Sequence, residues 1–300
     1  MRNAFIDELI QLARVRPNIA LVVGDLGYSV VEPFADEFPD RFINAGVAEQ
    51  NMTGLAAGMA SEGYHVFTYS IANFPTFRCA EQIRNDVDYH NLPVTVVAVG
   101  GGLGYGALGY SHHAIQDYAL MRVMPNMLIA SPGDPMEVRG CMRYIVENPQ
   151  PSYLRLGKAG EPCIHKEVPL ISPGKWLDIH RGEIGGSAFL TTGAPLDLIH
   201  QFLDKNPHEK TRSHLSMPLW GMKYKHLQAH EVHNYSSVIS VEDHLMDGGF
   251  GSWLLEAVAN QPNLLSRIKI KALDSRVCGM VGRQLILNGQ GGLLEELLCN

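Results

Sequence analysis

The sequence predicts an α/β protein with two domains, each built on a mostly parallel sheet that helices cover on both faces. Short, wholly apolar runs such as Ile19–Val23 and Val94–Val99 are typical of strands buried inside a parallel sheet. Stretches with helical patterning alternate with these runs, and such alternation favours helical crossovers between parallel strands. Prolines and glycines then interrupt the pattern at residues 161–185, which we interpret as a linker between domains at residues 1–160 and 186–300.

The individual elements follow from the same patterns. In the first domain the predicted strands lie at residues 19–23, 66–69, 94–99, 127–130 and 152–156, and the predicted helices at 3–15, 76–90 and 114–124. A further helix rich in small residues follows Val47, and another begins near Pro135, a residue that suits a first helical turn. In the second domain the predicted strands lie at residues 187–191, 238–241 and 268–270, and the predicted helices at 195–204, 250–260 and 291–298.

The composition argues against several broad classes of protein. The 300 residues are 46% hydrophobic and 18% charged, which suffices for a large buried core. A net charge of −7 argues against nucleic acid or an anionic membrane as the main partner. There is no run of about 18 apolar residues, and the amino terminus lacks the apolar centre of a signal peptide. Because the cysteines form no C-x-x-C pair, we expect reduced thiols in a cytoplasmic protein: Cys79, Cys141, Cys163, Cys278 and Cys299.

A single carboxylate stands out in residues 41–52. Glu49 is the only charged residue between Arg41 and Glu62, and it opens the helix of small residues. Such a helix has little side-chain bulk, so another backbone or a flat ligand can approach it closely. On the residues alone, Glu49 either complements the positive end of its helix or takes part in acid–base chemistry, and the first role is the commoner one.

A glycine-rich loop follows the apolar run at residues 94–99. Six of the ten residues 100–109 are glycine, which lets the backbone approach a ligand at the carboxyl end of a parallel strand. The spacing differs from the G-x-G-x-x-G pattern of dinucleotide sites. His112 and His113 come next; they either bind a ligand or cap the following helix. Adjacent histidines point apart, which argues against a metal site.

Residues 41–52 and the glycine-rich loop resemble the pyrimidine-binding domain of thiamine-diphosphate enzymes, in the branch of transketolase and deoxyxylulose-phosphate synthase. The family pattern is arginine-phenylalanine, a few residues, glycine, a small residue and glutamate, and Glu49 matches that glutamate. Residues 241–244 and 248–251 are similar to a signature of the family's carboxyl-terminal domain. The resemblance is strongest over residues 41–158. It implies a thiamine-diphosphate-binding fold followed by a transketolase C-terminal-domain-like fold.

The resemblance also implies which residues form the site. Glu49 would be catalytic, because the family's glutamate contacts a ring nitrogen of the aminopyrimidine and promotes activation of the cofactor by acid–base catalysis. His112 matches a substrate-facing histidine and would also be catalytic. The other implied cofactor contacts are Val47, Phe74, Phe77 and Gly102. The implied substrate contacts are Arg78, Tyr105, His112, His113 and Lys158, of which the last stands where the family has an arginine for substrate phosphate.

Two positions depart from the family pattern. Transketolases carry a histidine near the position of Gly100 and an aspartate near that of Leu108, and both face sugar hydroxyls. Neither side chain is present here. We therefore expect the site to recognise its sugar differently, or to accept another donor.

The family's other half-site is missing from this sequence. Thiamine-diphosphate enzymes hold the diphosphate through magnesium with a glycine-aspartate-glycine motif and a later asparagine. This chain contains Gly24-Asp25-Leu26 and Gly133-Asp134-Pro135 but no such motif, and we expect no metal ligands on it. The resemblance thus implies a second polypeptide, the amino-terminal transketolase subunit, which holds the diphosphate and Mg²⁺. An α2β2 heterotetramer would complete every site.

Three functions are compatible with these features. The first is the carboxyl-terminal subunit of a split transketolase, which moves a two-carbon ketol unit between sugars or phosphosugars. The second is the beta subunit of a 2-oxo-acid dehydrogenase, although the doubled histidine and residues 114–117 look closer to transketolase. The third is a non-catalytic assembly subunit, against which the retention of Glu49 and the glycine-rich loop counts.

Overall fold

The computed structural model describes residues 1–293, which form two sheets flanked by helices. The strands are β1 (Ile19–Val23), β2 (Phe42–Asn44), β3 (His65–Ile71), β4 (Val94–Val99), β5 (Leu128–Ala130), β6 (Ser152–Leu156), β7 (Leu177–His180), β8 (Ser187–Thr191), β9 (Ser213–Ser216), β10 (Leu219–Trp220), β11 (Ser237–Leu245) and β12 (Ile268–Leu273). The α-helices are α1 (Arg2–Val15), α2 (Glu32–Glu37), α3 (Glu49–Ser61), α4 (Asn73–Phe77), α5 (Ala80–Gln82), α6 (Asp117–Met121), α7 (Pro135–Glu147), α8 (Pro195–Lys205), α9 (Gln228–His233), α10 (Phe250–Ala257), α11 (Pro262–Leu265) and α12 (Gln284–Gln290).

Both sheets are mostly parallel. The first has the strand order β10-β5-β6-β4-β3-β1-β2, in which β10 alone is antiparallel to its neighbour, and the second has the order β12-β11-β8-β9-β7, in which β7 alone is antiparallel. Alternate residues of β1 point to opposite faces: Leu21 packs into the core that contains α1 and α7, and Val22 into the core beneath α3. The predicted α/β fold with mostly parallel sheets is confirmed.

Each sheet contains a short strand that the sequence patterns do not reveal. Strand β10 comes after β8 and β9 in the chain, yet it pairs with β5 of the first sheet through Leu219 opposite Ala130 and Trp220 opposite Ile129. Strand β7 lies within the stretch predicted as a linker and pairs with β9 of the second sheet. Strands of two to four residues carry too little periodicity to be recognised from sequence.

Two predicted helices are shorter or broken. Residues 76–90 form α4, α5 and a π-helical turn at Ile83–Asp88, because Cys79 leaves the helical conformation with φ −110° and ψ 12°. Residues 114–124 contain only α6, since Ala114 instead pairs with Gly102 in an isolated β-bridge. In the predicted helix 291–298, residues 291–293 form a turn, and residues 294–298, like Cys299, lie outside the described residues.

The parallel strands direct several loops to one edge of the first sheet. The segment before α3 follows β2, α4 follows β3, and the glycine-rich loop follows β4. Because these strands are parallel, their carboxyl ends lie at the same edge, where α/β proteins place their ligand sites. The predicted site residues are therefore brought to this edge by strand order rather than by sequence proximity.

Candidate functional site

Glu49 lies at the first position of α3 and is almost completely buried, with 4% of its surface exposed. Both carboxylate oxygens lie 3.1 Å from Nη1 of Arg78, so the residue that looks isolated in the sequence forms an ion pair in the structure. The carboxylate also lies at the positive end of a helix of 13 residues. A buried carboxylate is thus held by a cation and a helix dipole at the carboxyl edge of the sheet.

The guanidinium of Arg78 also lies over an aromatic ring. Its Cζ is 4.1 Å from the centroid of the Phe74 ring, which is partly buried on α4. Arg78 directly follows α4, which ends at Phe77. The planar cation is therefore enclosed between a carboxylate and an aromatic face, while half of its side chain remains exposed.

A row of contacts continues from Phe74 away from Glu49. The Phe74 ring meets the His112 ring edge-on at 5.3 Å, and the His112 and Tyr105 rings are 6.4 Å apart. At the far end, Nζ of Lys158 lies 4.9 Å above the Tyr105 ring. Six of the predicted site residues thus form one continuous row: Glu49, Arg78, Phe74, His112, Tyr105 and Lys158.

A cleft of about 470 Å³ opens beside the row, between α4 and the end of the glycine-rich loop. Its lining combines aromatic rings with polar groups: Asn73, Phe74, Phe77, Arg78, Tyr110, Ser111 and Gln116. Asn73 donates hydrogen bonds to the carbonyls of His113 and Ser111, at 2.7 and 3.2 Å, and so fixes the loop to α4. Asn73 is not among the residues predicted from the sequence, although an asparagine at a strand-to-helix junction is a common backbone-binding residue.

The remaining predicted residues lie outside the row. Val47 is 74% exposed in the loop before α3, and Phe77 is 48% exposed at the mouth of the cleft. His113 is fully buried; its Nε2 lies 3.4 Å from the Gly106 carbonyl, and burial lowers its pKa. Gly102 packs against a carboxylate of the second domain, because a Cβ there would overlap Asp243.

Gly100 has a positive φ of 82°, and an aromatic ring fills the space beside it. A Cβ on Gly100 would collide with the ring of Tyr105. A side chain at this position and the present position of Tyr105 are therefore mutually exclusive. The ring of Tyr105 occupies the space into which a residue other than glycine would project.

Arg155, which is close to Lys158 in the sequence, is buried in a network that joins the two domains. Its Nε donates to Asp117 at 2.7 Å and its Nη1 to Asp243 at 2.6 Å, and Tyr153 donates to the same Asp117 oxygen as Nε. The side chain is 3% exposed. Lys158 is exposed, so Lys158 rather than Arg155 is placed to meet a ligand.

The glutamate of the second signature has a structural role. Glu242 is buried and accepts hydrogen bonds from the backbone N–H groups of Phe250 and Gly251, at 2.5 and 2.9 Å, at the start of α10. A Cβ on Gly249 would overlap the Glu242 carboxylate. The glycines and the glutamate therefore belong together because the carboxylate caps the helix at close range.

A second buried cluster joins α7 to the predicted linker. Asp134 caps α7 and accepts hydrogen bonds from the backbone N–H and from Nδ1 of His165, at 2.8 and 3.1 Å. Glu137 accepts from the Gly133 N–H at 2.6 Å, and its other oxygen lies 3.8 Å from Nε2 of His165. Burial raises the pKa of Glu137 to about 7. Burial opposes the charged form of His165, but Asp134 and Glu137 raise its pKa overall.

From this cluster we predict that the free energy of unfolding falls as the pH rises above the ordinary pKa of a glutamate. The folded pKa of Glu137 lies above its usual value of 4.5, so its contribution is present at low pH and is lost as the pH rises towards 7. Between pH 5 and 8, wild type should lose roughly 2 kcal/mol more than Glu137→Gln in urea unfolding. Glu147→Gln, at the exposed end of α7, is the matched control and should behave like wild type. Equal pH dependence of wild type and Glu137→Gln would contradict this.

Within residues 1–293, no three histidine, cysteine or acidic side chains are grouped as metal ligands. The same residues contain no helix of the length and apolar character needed to span a membrane.

Known proteins resemble this chain in sequence and in fold. The family model described as the pyrimidine-binding domain of transketolase matches residues 1–160. An apulose-4-phosphate transketolase subunit of Phocaeicola vulgatus is 30% identical over 274 residues, which cover 87% of this chain and 84% of the relative. The 1-deoxy-D-xylulose-5-phosphate synthase of Aquifex aeolicus is 31% identical over 300 residues, which cover 98% of this chain but 46% of that enzyme.

Among solved structures, one described as a split gene transketolase, inactive beta4 tetramer, is similar with a TM-score of 0.83 and 28% identity. The match covers 97% of this chain and 93% of that one, so it includes both sheets. The chain therefore belongs to the transketolase family, with the family's pyrimidine-binding domain in its amino-terminal half.

Proposed function

We propose that this chain is the carboxyl-terminal subunit of a two-subunit transketolase that transfers a two-carbon ketol unit between sugars. The observation that carries the proposal is the slot between Glu49 and Phe74. A buried carboxylate faces an aromatic ring across a gap that already holds a planar nitrogen-bearing group, the Arg78 guanidinium. A flat group that bears nitrogen atoms fits between them.

The residues of this slot suit the aminopyrimidine end of thiamine diphosphate. Glu49 would bind a ring nitrogen, where its acidic form donates a proton and its charged form accepts one, and Phe74 would stack against the ring. When bound, the cofactor supplies a nucleophilic carbon that amino-acid side chains lack. The tasks of this chain are to orient the pyrimidine, to keep water away from Glu49 and to move a proton at that carboxylate.

The other half of the row would bind the sugar. His112 and Tyr105 present an imidazole and a hydroxyl next to the slot, and either can hydrogen-bond to substrate oxygens. Lys158 lies at the end of the row, where an ammonium would meet a substrate phosphate as a point charge. The relative named as a subunit of an apulose-4-phosphate transketolase supports a phosphosugar as the substrate class.

We further propose that a partner subunit closes the site and supplies the diphosphate and Mg²⁺ ligands. Large apolar side chains are exposed around the row, among them Val47, Leu108 and Tyr110, which favours coverage by another chain. On α3, a Cβ on Gly54 or Gly58 would meet no atom within 4 Å, so a second backbone can approach this helix closely. An α2β2 assembly accommodates both contacts. The free thiols of the described cysteines favour a reducing compartment such as the cytoplasm.

An assay with both chains tests the reaction. We expect the complex to transfer a two-carbon unit from a ketose phosphate to an aldose phosphate in the presence of thiamine diphosphate and Mg²⁺. A complex that decarboxylates 2-oxo acids and ignores sugars would instead identify a 2-oxo-acid dehydrogenase subunit. A complex that binds cofactor but turns over neither substrate class would contradict the transketolase proposal.

The ring beside Gly100 predicts an altered sugar preference. Because Gly100 and Leu108 stand where the family has a histidine and an aspartate, and the Tyr105 ring fills the space beside Gly100, the ranking of donor sugars should differ from that of a full-length transketolase. A lost hydrogen-bond partner shifts such preferences by about 1–3 kcal/mol. Tyr105→Ala should change the ranking again, whereas Tyr89→Ala, which truncates an exposed ring, should not. Identical rankings for wild type and Tyr105→Ala, measured as kcat/KM for each donor, would be the contrary result.

A further inference from the structure

The side chain of Arg78 lies where a pyrimidine would have to lie. Its Nη1 is 3.1 Å from each oxygen of Glu49, and its Cζ is 4.1 Å from the centroid of the Phe74 ring. Hydrogen bonding to the carboxylate and stacking on the ring are also the two interactions that a planar nitrogen heterocycle would make in this slot. The guanidinium and the heterocycle are both flat, so one can replace the other but both cannot use these groups at once.

We propose that Arg78 is a built-in occupant of the pyrimidine half-site, which the cofactor displaces when it binds. This inference rests on the proposed function, because it takes the slot between Glu49 and Phe74 as the place of the aminopyrimidine. It assigns to Arg78 a role distinct from that of a simple substrate contact: a positioning residue that competes with the cofactor for the same two groups.

The position of Arg78 in the slot is explained by the buried charge of Glu49. Glu49 is 4% exposed, and burial of a carboxylate is unfavourable unless a partner compensates its charge. In the absence of cofactor, Arg78 supplies the compensating charge and keeps the carboxylate in the orientation it would need for a ligand. The charge of Glu49 is thereby compensated by a side chain of the same chain.

The Arg78 side chain can also move out of the slot. Half of the Arg78 side chain is exposed, and among the described residues its guanidinium hydrogen-bonds only to Glu49. Arg78 directly follows α4, which ends at Phe77, so its side chain lies beyond the end of this short helix. Arg78 also lines the cleft of about 470 Å³, so a displaced guanidinium has space beside the cleft wall.

Displacement has a measurable consequence for cofactor affinity. Breaking the contacts of Arg78 opposes binding, so removal of the guanidinium should strengthen binding. An ion pair of this exposure, with an added aromatic contact, corresponds to an affinity gain of about three- to tenfold. The gain should depend on Glu49, since without the carboxylate the guanidinium is no longer held in the slot.

The test is calorimetric titration of thiamine diphosphate, with Mg²⁺ in excess, into complexes of this chain with its partner subunit. We expect Arg78→Ala and Arg78→Met, which keeps the apolar stem, to lower Kd by about three- to tenfold relative to wild type. The matched control Arg84→Ala removes an exposed arginine of the same segment and should leave Kd unchanged. In the Glu49→Gln background, Arg78→Ala should change Kd by less than about twofold, because the ion pair is already lost.

The outcomes separate this inference from the proposed function. Wild-type complex that fails to bind thiamine diphosphate would overturn the proposed function itself. If wild type binds and both Arg78 variants bind equally well or more weakly, then Arg78 does not compete with the pyrimidine and the inference is wrong. An equal gain in the presence and absence of Glu49 would likewise overturn it, since competition for the carboxylate would then be excluded.

Discussion

Replacement of Glu49 by glutamine should lower the turnover of the assembled enzyme by about two orders of magnitude or more while the fold survives. Glutamine keeps the size of the side chain but can neither donate the acidic proton nor carry the charge. The ion pair with half-exposed Arg78 is lost as well, and because solvent screens that pair, its loss should cost under about 1 kcal/mol of stability.

The measurement compares kcat of wild type, Glu49→Gln and Glu62→Gln with saturating cofactor. Glu62 caps the opposite end of α3 and is exposed, so its substitution makes the same chemical change away from the site. We expect Glu62→Gln to be active and all three proteins to have similar far-ultraviolet circular dichroism. Near-normal turnover of Glu49→Gln would refute the assignment of Glu49 as the acid–base group.

Replacement of Arg155 by methionine should lower the free energy of unfolding by about 3–5 kcal/mol. The change leaves the Asp117 and Asp243 carboxylates buried without the cation that lies between them, at 2.7 and 2.6 Å. Asp117 lies on α6 of the first domain and Asp243 on β11 of the second. Loss of the Arg155 guanidinium should therefore weaken the contact between the two domains.

Urea unfolding followed by tryptophan fluorescence suits this test, since Trp220 and Trp253 are buried close together, with ring centroids 5.3 Å apart. The matched variant Arg84→Met removes an exposed arginine and should stay within about 0.5 kcal/mol of wild type. A loss of less than about 1 kcal/mol for Arg155→Met would mean that the buried network contributes little to stability.

The sequence predicts the sheets well because buried parallel strands leave a strong signal. The apolar runs of β1 and β4 coincide with the predicted strands, and the glycine-rich loop follows β4 as expected. Strands β7 and β10 escape prediction because they are short and pair with distant segments. The helix predicted over residues 76–90 breaks at Cys79, a departure that no local propensity indicates.

The site shows the same division between local motif and tertiary contact. The motif around Glu49 points to a carboxylate in a special place, but its pairing with Arg78, 29 residues away, requires the fold. The packing of Gly102 against Asp243 likewise depends on the second domain. Sequence motifs predict which residues carry chemistry, whereas strand order decides which of them meet.

Cofactor binding by the separate and combined chains tests the split site most directly. The proposed pyrimidine slot lies on this chain, whose sequence lacks the glycine-aspartate-glycine motif that would hold magnesium beside a diphosphate. Titration calorimetry should show tight, magnesium-dependent binding of thiamine diphosphate by the mixture of this chain and its partner subunit, and no such binding by either chain alone. Magnesium-dependent binding of thiamine diphosphate at Glu49 by this chain alone, abolished by Glu49→Gln, would contradict the split-site proposal.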